Sequence, residues 1–271
     1  ASLFLFYKSG LAQYISFEFI SIDLTRQMIA YAWPLIPNNL SSWVMTLSDR
    51  LLLSMFLGVE VNAVYAVQST FSLAWQENAS LSVEDSDIDS YYSRMFSLVF
   101  DLVIGSCAVL IGISPLLFAL LIRGDYMEAY CQMPILFIAL TFTTLSSYLA
   151  GIYIADKRTK AIGITTTIAA TINLGIDLIL IPSIGMWAAS LSTLVGYLFL
   201  FIYRIIDLRK YHKLTINNLH IILWVGVLVA FSIVSFINNT VCNYVIFVLG
   251  LGTFVYLNRK IISAIMKKLL K

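Results

Sequence analysis

Asn38, Ser42, Asp49 and Arg50 lie in one long apolar stretch, YAWPLIPNNLSSWVMTLSDRLLLSMFLG, at residues 31–58. At 100° per residue of a helix, Asn38, Ser42 and Asp49 fall within about 40° of one another, and Arg50 points about 100° away from Asp49. An amide, a hydroxyl and a carboxylate on one face can hold a charged ligand by hydrogen bonds and ion pairing, as in the wall of an aqueous cavity. Such residues are costly inside a bilayer and mark substrate and ion pathways. Asp49 and Arg50 also suit the outer interface, snorkelling or pairing with other helices. Gln76 closes a second stripe with Tyr65, Ser69 and Ser72, which serves helix-to-helix hydrogen bonding as readily as binding. Asn173 and Asp177 follow one face of a later helix together with Thr166. Asp177, four residues before Ile181 and Pro182, fits an outer-interface position as well.

None of these groupings is catalytic. Cys107, Cys131 and Cys242 lie far apart without Cys-x-x-Cys or Cys/His spacing. His212 and His220 sit at a charged loop and a span boundary, so the pattern suits no metal site. No glycine-rich phosphate loop is present. The outward loops expected at 123–130, 183–186 and 238–243 are too short to carry the reactive groups of a membrane glycosyltransferase or polymerase. The chain reads as a non-enzyme that needs no cofactor.

The elements that must position these residues follow from composition. The 271 residues are 60% hydrophobic and 12% charged, with a mean hydropathy of +0.88. Globular proteins carry about 25% charged residues, and lipid accommodates an apolar excess that a soluble core does not. The expectation is an all-α integral membrane protein, a polytopic helical bundle of about eight transmembrane helices. They fall near residues 28–58, 62–80, 96–122, 131–153, 161–181, 187–206, 219–237 and 244–257. Pro34 and Pro37 kink the first by removing backbone donors. Residues 8–26 form an amphipathic linker, and the apolar opening ASLFLFY reads as the tail of a span whose upstream portion is missing. Gly105, Gly112, Gly151, Gly163, Gly175 and Gly196 suit close helix packing, and Asp101, one turn into its span, is expected to snorkel.

Alternating the spans across the bilayer puts every one of the 17 basic residues on one side except Arg50 and Arg123. By the positive-inside rule that side is cytoplasmic, with the loops at 81–95, 154–160 and 207–218 and the C-terminus. The net charge of +2 therefore reflects topology, not nucleic-acid binding.

The 31–58 string resembles the opening span of the second half of polysaccharide and O-antigen flippases of the Wzx type, in the multidrug/oligosaccharidyl-lipid/polysaccharide (MOP) exporter superfamily. Further matches run in order: YAV and FSLAWQENA between Tyr65 and Ala79, MPIL at 133–136, DKRTK at 156–160, and NLGIDLILIPSIGMWAASLSTLVGY at 173–197. The resemblance implies a preceding span end and linker at 1–27, the C-terminal six-helix transporter lobe at 28–206, and two added helices with a basic tail at 207–271. It implies flipping of an undecaprenyl-pyrophosphate-linked oligosaccharide to the outer leaflet of a bacterial inner membrane by alternating access. The implied partners are that lipid-linked glycan, membrane lipids, an N-terminal lobe of the same protein and the glycan polymerase machinery. Asp49 and Arg50 match the family's Asp-Arg pair, and Trp75 with Gln76 its Trp-Gln. Three departures stand out. The first lobe is absent. Only ten positions separate Tyr65 from Trp75, where the family has roughly three more helical turns including a lysine. Asp177 and Trp187 replace the family's usual Asn and Gly. A drug/cation antiporter of the same superfamily and a non-transporting remnant or scaffold are the alternatives.

Overall fold

The computed structural model describes residues 21–42, 88–121, 127–237 and 240–269. The first helix, α1 (Ile22–Ala32), starts where Ser21 accepts a hydrogen bond from the Leu24 N–H at 3.3 Å and Asp23 complements the first turn. It therefore begins ahead of the expected Met28, because the capping residues lie outside the apolar run. The chain turns at Trp33 and Pro34 and is helical again over 35–42, so the two prolines break the helix where the sequence places the kink.

Six long helices follow: α2 (Ile88–Leu121), α3 (Met127–Ala155), α4 (Thr159–Ile184), α5 (Met186–Leu208), α6 (Asn218–Ser235) and α7 (Thr240–Leu269). Each contains a stretch long and apolar enough to cross a membrane, and the described residues form an all-α polytopic membrane bundle. These six match the last six expected spans. Of the other two, 62–80 and most of 28–58 lie outside the described residues.

Most helix ends run past the hydropathy reading, although α6 stops at Ser235, short of the expected 237. Residues 88–95, expected as loop, form the first two turns of α2; 154–155, 159–160 and 207–208 are helical too. An apolar run marks only what lies in hydrocarbon, whereas the backbone ladder continues into water. Tyr92 and Phe96, one turn apart on α2, are both buried, so the polar start of α2 still packs on the bundle.

The core centres on α3, which has α2 on one side and α5 on the other. Phe96 of α2 stacks on Phe201 of α5 at 6.4 Å between ring centroids and meets Tyr148 of α3 edge-on at 5.7 Å. Beyond α5 lies α4, which in turn carries α1; beyond α2 lies α7, and α6 fills the angle between α2, α3 and α7. Gly185 alone joins α4 to α5, with φ +56° and ψ −131°. A side chain at that backbone conformation is strained by about 1–3 kcal/mol, so glycine permits the tight reversal.

The expected packing glycines divide. A Cβ on Gly105 or Gly112 of α2 would meet α7 backbone at Phe254 or Phe247, and Gly250 of α7 lies against Ala108 of α2 in the same way. Gly163 of α4 sits against the Pro34 carbonyl. Gly175, by contrast, has open space around it and packs on nothing described.

Charged residues from separate connections meet at one end of the bundle. Arg158 pairs with Asp207 at 3.1 Å, lies 3.6 Å from the Tyr211 ring centre, and Tyr153 donates to the same carboxylate at 2.9 Å. His212 bridges Asp89 and Asp156. Asp101, expected to snorkel, is instead 2.8 Å from His220 Nε2. The described part of 81–95 thus shares an end with 154–160 and 207–218, as span alternation requires.

Candidate functional site

Polar residues recur on the inner faces of α4 and α5, in three steps from the charged end toward the other. At the first step Arg204 of α5 is only 3% exposed. Its Nη1 donates to the Ser146 carbonyl of α3 at 2.8 Å. Its Nη2 donates to Thr166 Oγ1 of α4 at 2.8 Å and reaches Thr165 Oγ1 at 3.5 Å. Thr166 Oγ1 lies 2.6 Å from Asn38 Oδ1 and 2.9 Å from the Ile162 carbonyl; its one proton serves one of them at a time.

A guanidinium is permanently charged, and no carboxylate pairs with Arg204 among the described residues. Its buried Nε has no partner among them either. Burying an unneutralised charge costs several kcal/mol, and each charge-assisted hydrogen bond returns about 1.5–3 kcal/mol. Neutral carbonyl and hydroxyl oxygens therefore hold this cation without cancelling its charge.

Asn38 reaches the site because the proline-broken segment docks on α4. Thr159 Oγ1 donates to the Tyr31 carbonyl at 2.8 Å, Gly163 lets the Pro34 carbonyl approach, and the Ser41 and Thr167 hydroxyls are 3.4 Å apart. Residues 159, 163, 166 and 167 share one face of α4. Beside this contact runs a groove of about 440 Å³, lined by Trp33, Pro34, Pro37 and α4 residues from Lys160 to Ile168.

At the second step Asn173, fully buried, donates to Ser192 Oγ at 3.1 Å and Thr193 Oγ1 at 3.3 Å. Ser192 donates to Asp177 Oδ1 at 2.6 Å. The Asn173 Oδ1 is buried without a partner among the described residues. At the third step Ser190 donates to Gln132 Oε1 of α3 at 2.8 Å. Arg204 and Ser192 are separated by about 18 Å along α5 at 1.5 Å per residue, a large part of the roughly 30 Å hydrocarbon thickness.

Of the residues singled out from sequence, the structure brings Asn38, Asn173 and Asp177 to this seam. Ser42 is half-buried and joins neither network among the described residues. Asp49, Arg50 and Gln76 lie outside the described residues. Sequence reasoning missed Arg204, treating it as one of the basic residues that fix topology, and missed Ser192 and Gln132. The signal for Arg204 was its spacing: it falls four and seven residues after Leu200 and Tyr197, on the buried face of α5. The seam offers donors, acceptors, one fixed positive charge at Arg204 and the Asp177 carboxylate, groups that can hold a polar ligand by hydrogen bonds and ion pairing. Comparisons with protein-family models, with curated proteins and with solved structures found no match to this chain.

Proposed function

We propose that this chain is the second lobe of a flippase that carries an undecaprenyl-pyrophosphate-linked oligosaccharide from the cytoplasmic to the outer leaflet of a bacterial inner membrane by alternating access. The observation that carries the reading is Arg204, a buried cation neutralised by no carboxylate among the described residues, held between α3 and α4 and linked to the proline-broken segment through Thr166 and Asn38. Parting α4, with that segment, from α5 bares a guanidinium suited to a pyrophosphate. Farther out, Asn173, Ser192 and Asp177 supply hydrogen-bonding groups for a sugar and a carboxylate for a coupling cation. The concentration of basic residues at the Arg158 and Lys210 end makes that end cytoplasmic.

The test is rescue of surface glycan in a flippase-deficient bacterium by the complete reading frame, with Arg204→Met as the decisive variant. Methionine keeps roughly the volume and leaves no charge behind, and the Thr166 hydroxyl freed by the change still has the Ile162 carbonyl at 2.9 Å. The variant is expected to accumulate normally in the membrane and lose rescue. Full rescue by Arg204→Met overturns the role given to this charge. Efflux of cationic dyes without a glycan phenotype selects the antiporter instead.

A further inference from the structure

The charged end of the bundle is closed by a single imidazole. His212, in the connection between α5 and α6, places Nδ1 2.8 Å from Asp89 Oδ1 at the start of α2. Its Nε2 is 2.9 Å from Asp156 Oδ2 in the turn between α3 and α4. The neighbouring Lys213 N–H donates to the other Asp89 oxygen at 2.9 Å, and the Tyr92 ring packs edge-on against the imidazole at 5.4 Å. Three segments far apart in sequence thus converge on one side chain.

The geometry suits the doubly protonated ring. Carboxylates ionise near pH 4 and then only accept hydrogen bonds. An imidazole that donates to a carboxylate oxygen from each nitrogen carries a proton on both, which is the imidazolium form. A neutral ring keeps one contact and turns a lone pair toward the other carboxylate. We propose that His212 is a proton-operated tie: protonated, it fastens the α5–α6 connection to α2 and to the α3–α4 turn, and on losing its proton it lets one of them go.

The released partner is Asp156. Asp89 keeps its bond from the Lys213 N–H, whereas Asp156 has no such second link to the α5–α6 connection among the described residues. Other titratable groups facing the tie do not replace it. Tyr92 packs edge-on against the imidazole, Lys213 is a cation beside Asp89, Lys157 is a cation next to Asp156 in sequence, and Arg158 is committed to Asp207 and the Tyr211 face. The Asp156 hydrogen bond foremost, with Asp89 adding to it, holds the imidazole above its ordinary 6.5 against the opposing pull of burial. A raised folded value means that the tie's stabilisation is fully present below the unfolded value and is lost as pH climbs through the folded one. The tie opens on the alkaline side and tightens on acidification, whatever the bundle carries.

The chain holds two histidines, so ring-labelled histidine NMR of the full chain in nanodiscs resolves the tie directly. The resonance lost in His212→Gln is expected to titrate above 6.5 and to show both ring nitrogens protonated below its midpoint. Should His212→Gln fail to fold, His220→Gln assigns the remaining signal. Asp156→Asn is expected to move the His212 midpoint to lower pH. Amide exchange over residues 210–217, corrected for the intrinsic pH dependence, is expected to rise as wild type crosses the midpoint. A His212 that titrates at or below 6.5, or a loop whose exchange ignores the titration, overturns the proposal.

Discussion

Between α2 and α7 the contact is backbone against backbone. Gly105, Ala108 and Gly112 oppose Phe254, Gly250 and Phe247 in antiparallel order, and a Cβ at Gly112 would stand 2.5 Å from the Phe247 Cα. Between α4 and α5 the contact is made of side chains: Asn173 to Ser192 and Thr193, Ser192 to Asp177, and Arg204 to Thr166. The first seam works by shape and has one register. The second works by hydrogen bonds some of which have substitutes close by, since Thr165 and Thr166 each also reach the carbonyl four residues earlier. A threonine that lets go of its neighbour keeps a partner on its own helix. Polar contacts between membrane helices average only about 0.6 kcal/mol, so, the Arg204 bonds aside, the hydrogen bonds of the α4–α5 seam cost little to part compared with overpacking the α2–α7 backbone contact.

The largest expected effect comes from breaking the shape-based seam. Gly112→Leu puts four carbons where Phe247 backbone already stands, and backbone has no rotamer to offer. The penalty is expected to exceed about 3 kcal/mol, at or beyond the upper end for overpacking, or to prevent α7 from docking. Unfolding in mixed micelles with rising SDS measures it. A variant within about 1 kcal/mol of the parent would show that the seam yields and that the contrast between the two regions is false.

Thr166→Val tests the other seam and should cost less. Valine keeps the shape but removes the oxygen that Arg204 Nη2 and Asn38 Oδ1 share. Losing one partner of a buried charged donor costs about 1–3 kcal/mol. Because Thr165 Oγ1 stands 3.5 Å from the same nitrogen, the lower half of that range is expected. In an Asn38→Ala background the cost should fall, with a coupling of at least about 0.5 kcal/mol. Additive effects would mean that Asn38 and Arg204 do not communicate through Thr166.

The two seams were not equally legible in the sequence. Apolar runs located the six spans because hydrocarbon demands them, and the basic residues gave the common end of 88–95, 154–160 and 207–218. Hydropathy was blind where helices enter water: Asp89 and Ser93 belong to α2, although their polarity reads as loop. Asn38, Asn173 and Asp177 were visible because a polar group in an apolar run is costly anywhere. Arg204 was hidden by its own type. A basic residue near a span end is normally a topology signal, and only the partners across the bundle, Ser146 and Thr166, distinguish a buried cation from a snorkelling one. The α2–α7 pairing was hidden only in part, since the spacing of glycines says that a close approach exists without naming the helix that makes it.

Gly175→Ala should have the smallest effect and the opposite sign. Sequence spacing put Gly175 with the packing glycines, yet among the described residues nothing lies within 4 Å of the Cβ it lacks. Its neighbours Leu174 and Leu178 are exposed. Glycine in a helix interior is worse than alanine by about 0.5–1 kcal/mol, and with no clash to offset that gain the variant should be slightly more stable. The same SDS titration reads it, with Gly112→Ala as the contrasting measurement. A loss of more than about 1 kcal/mol at Gly175 would mean that another surface covers this face of α4. The loosely held seam would then be one side of a larger interface, and the freedom attributed to its hydrogen bonds would belong to that interface instead.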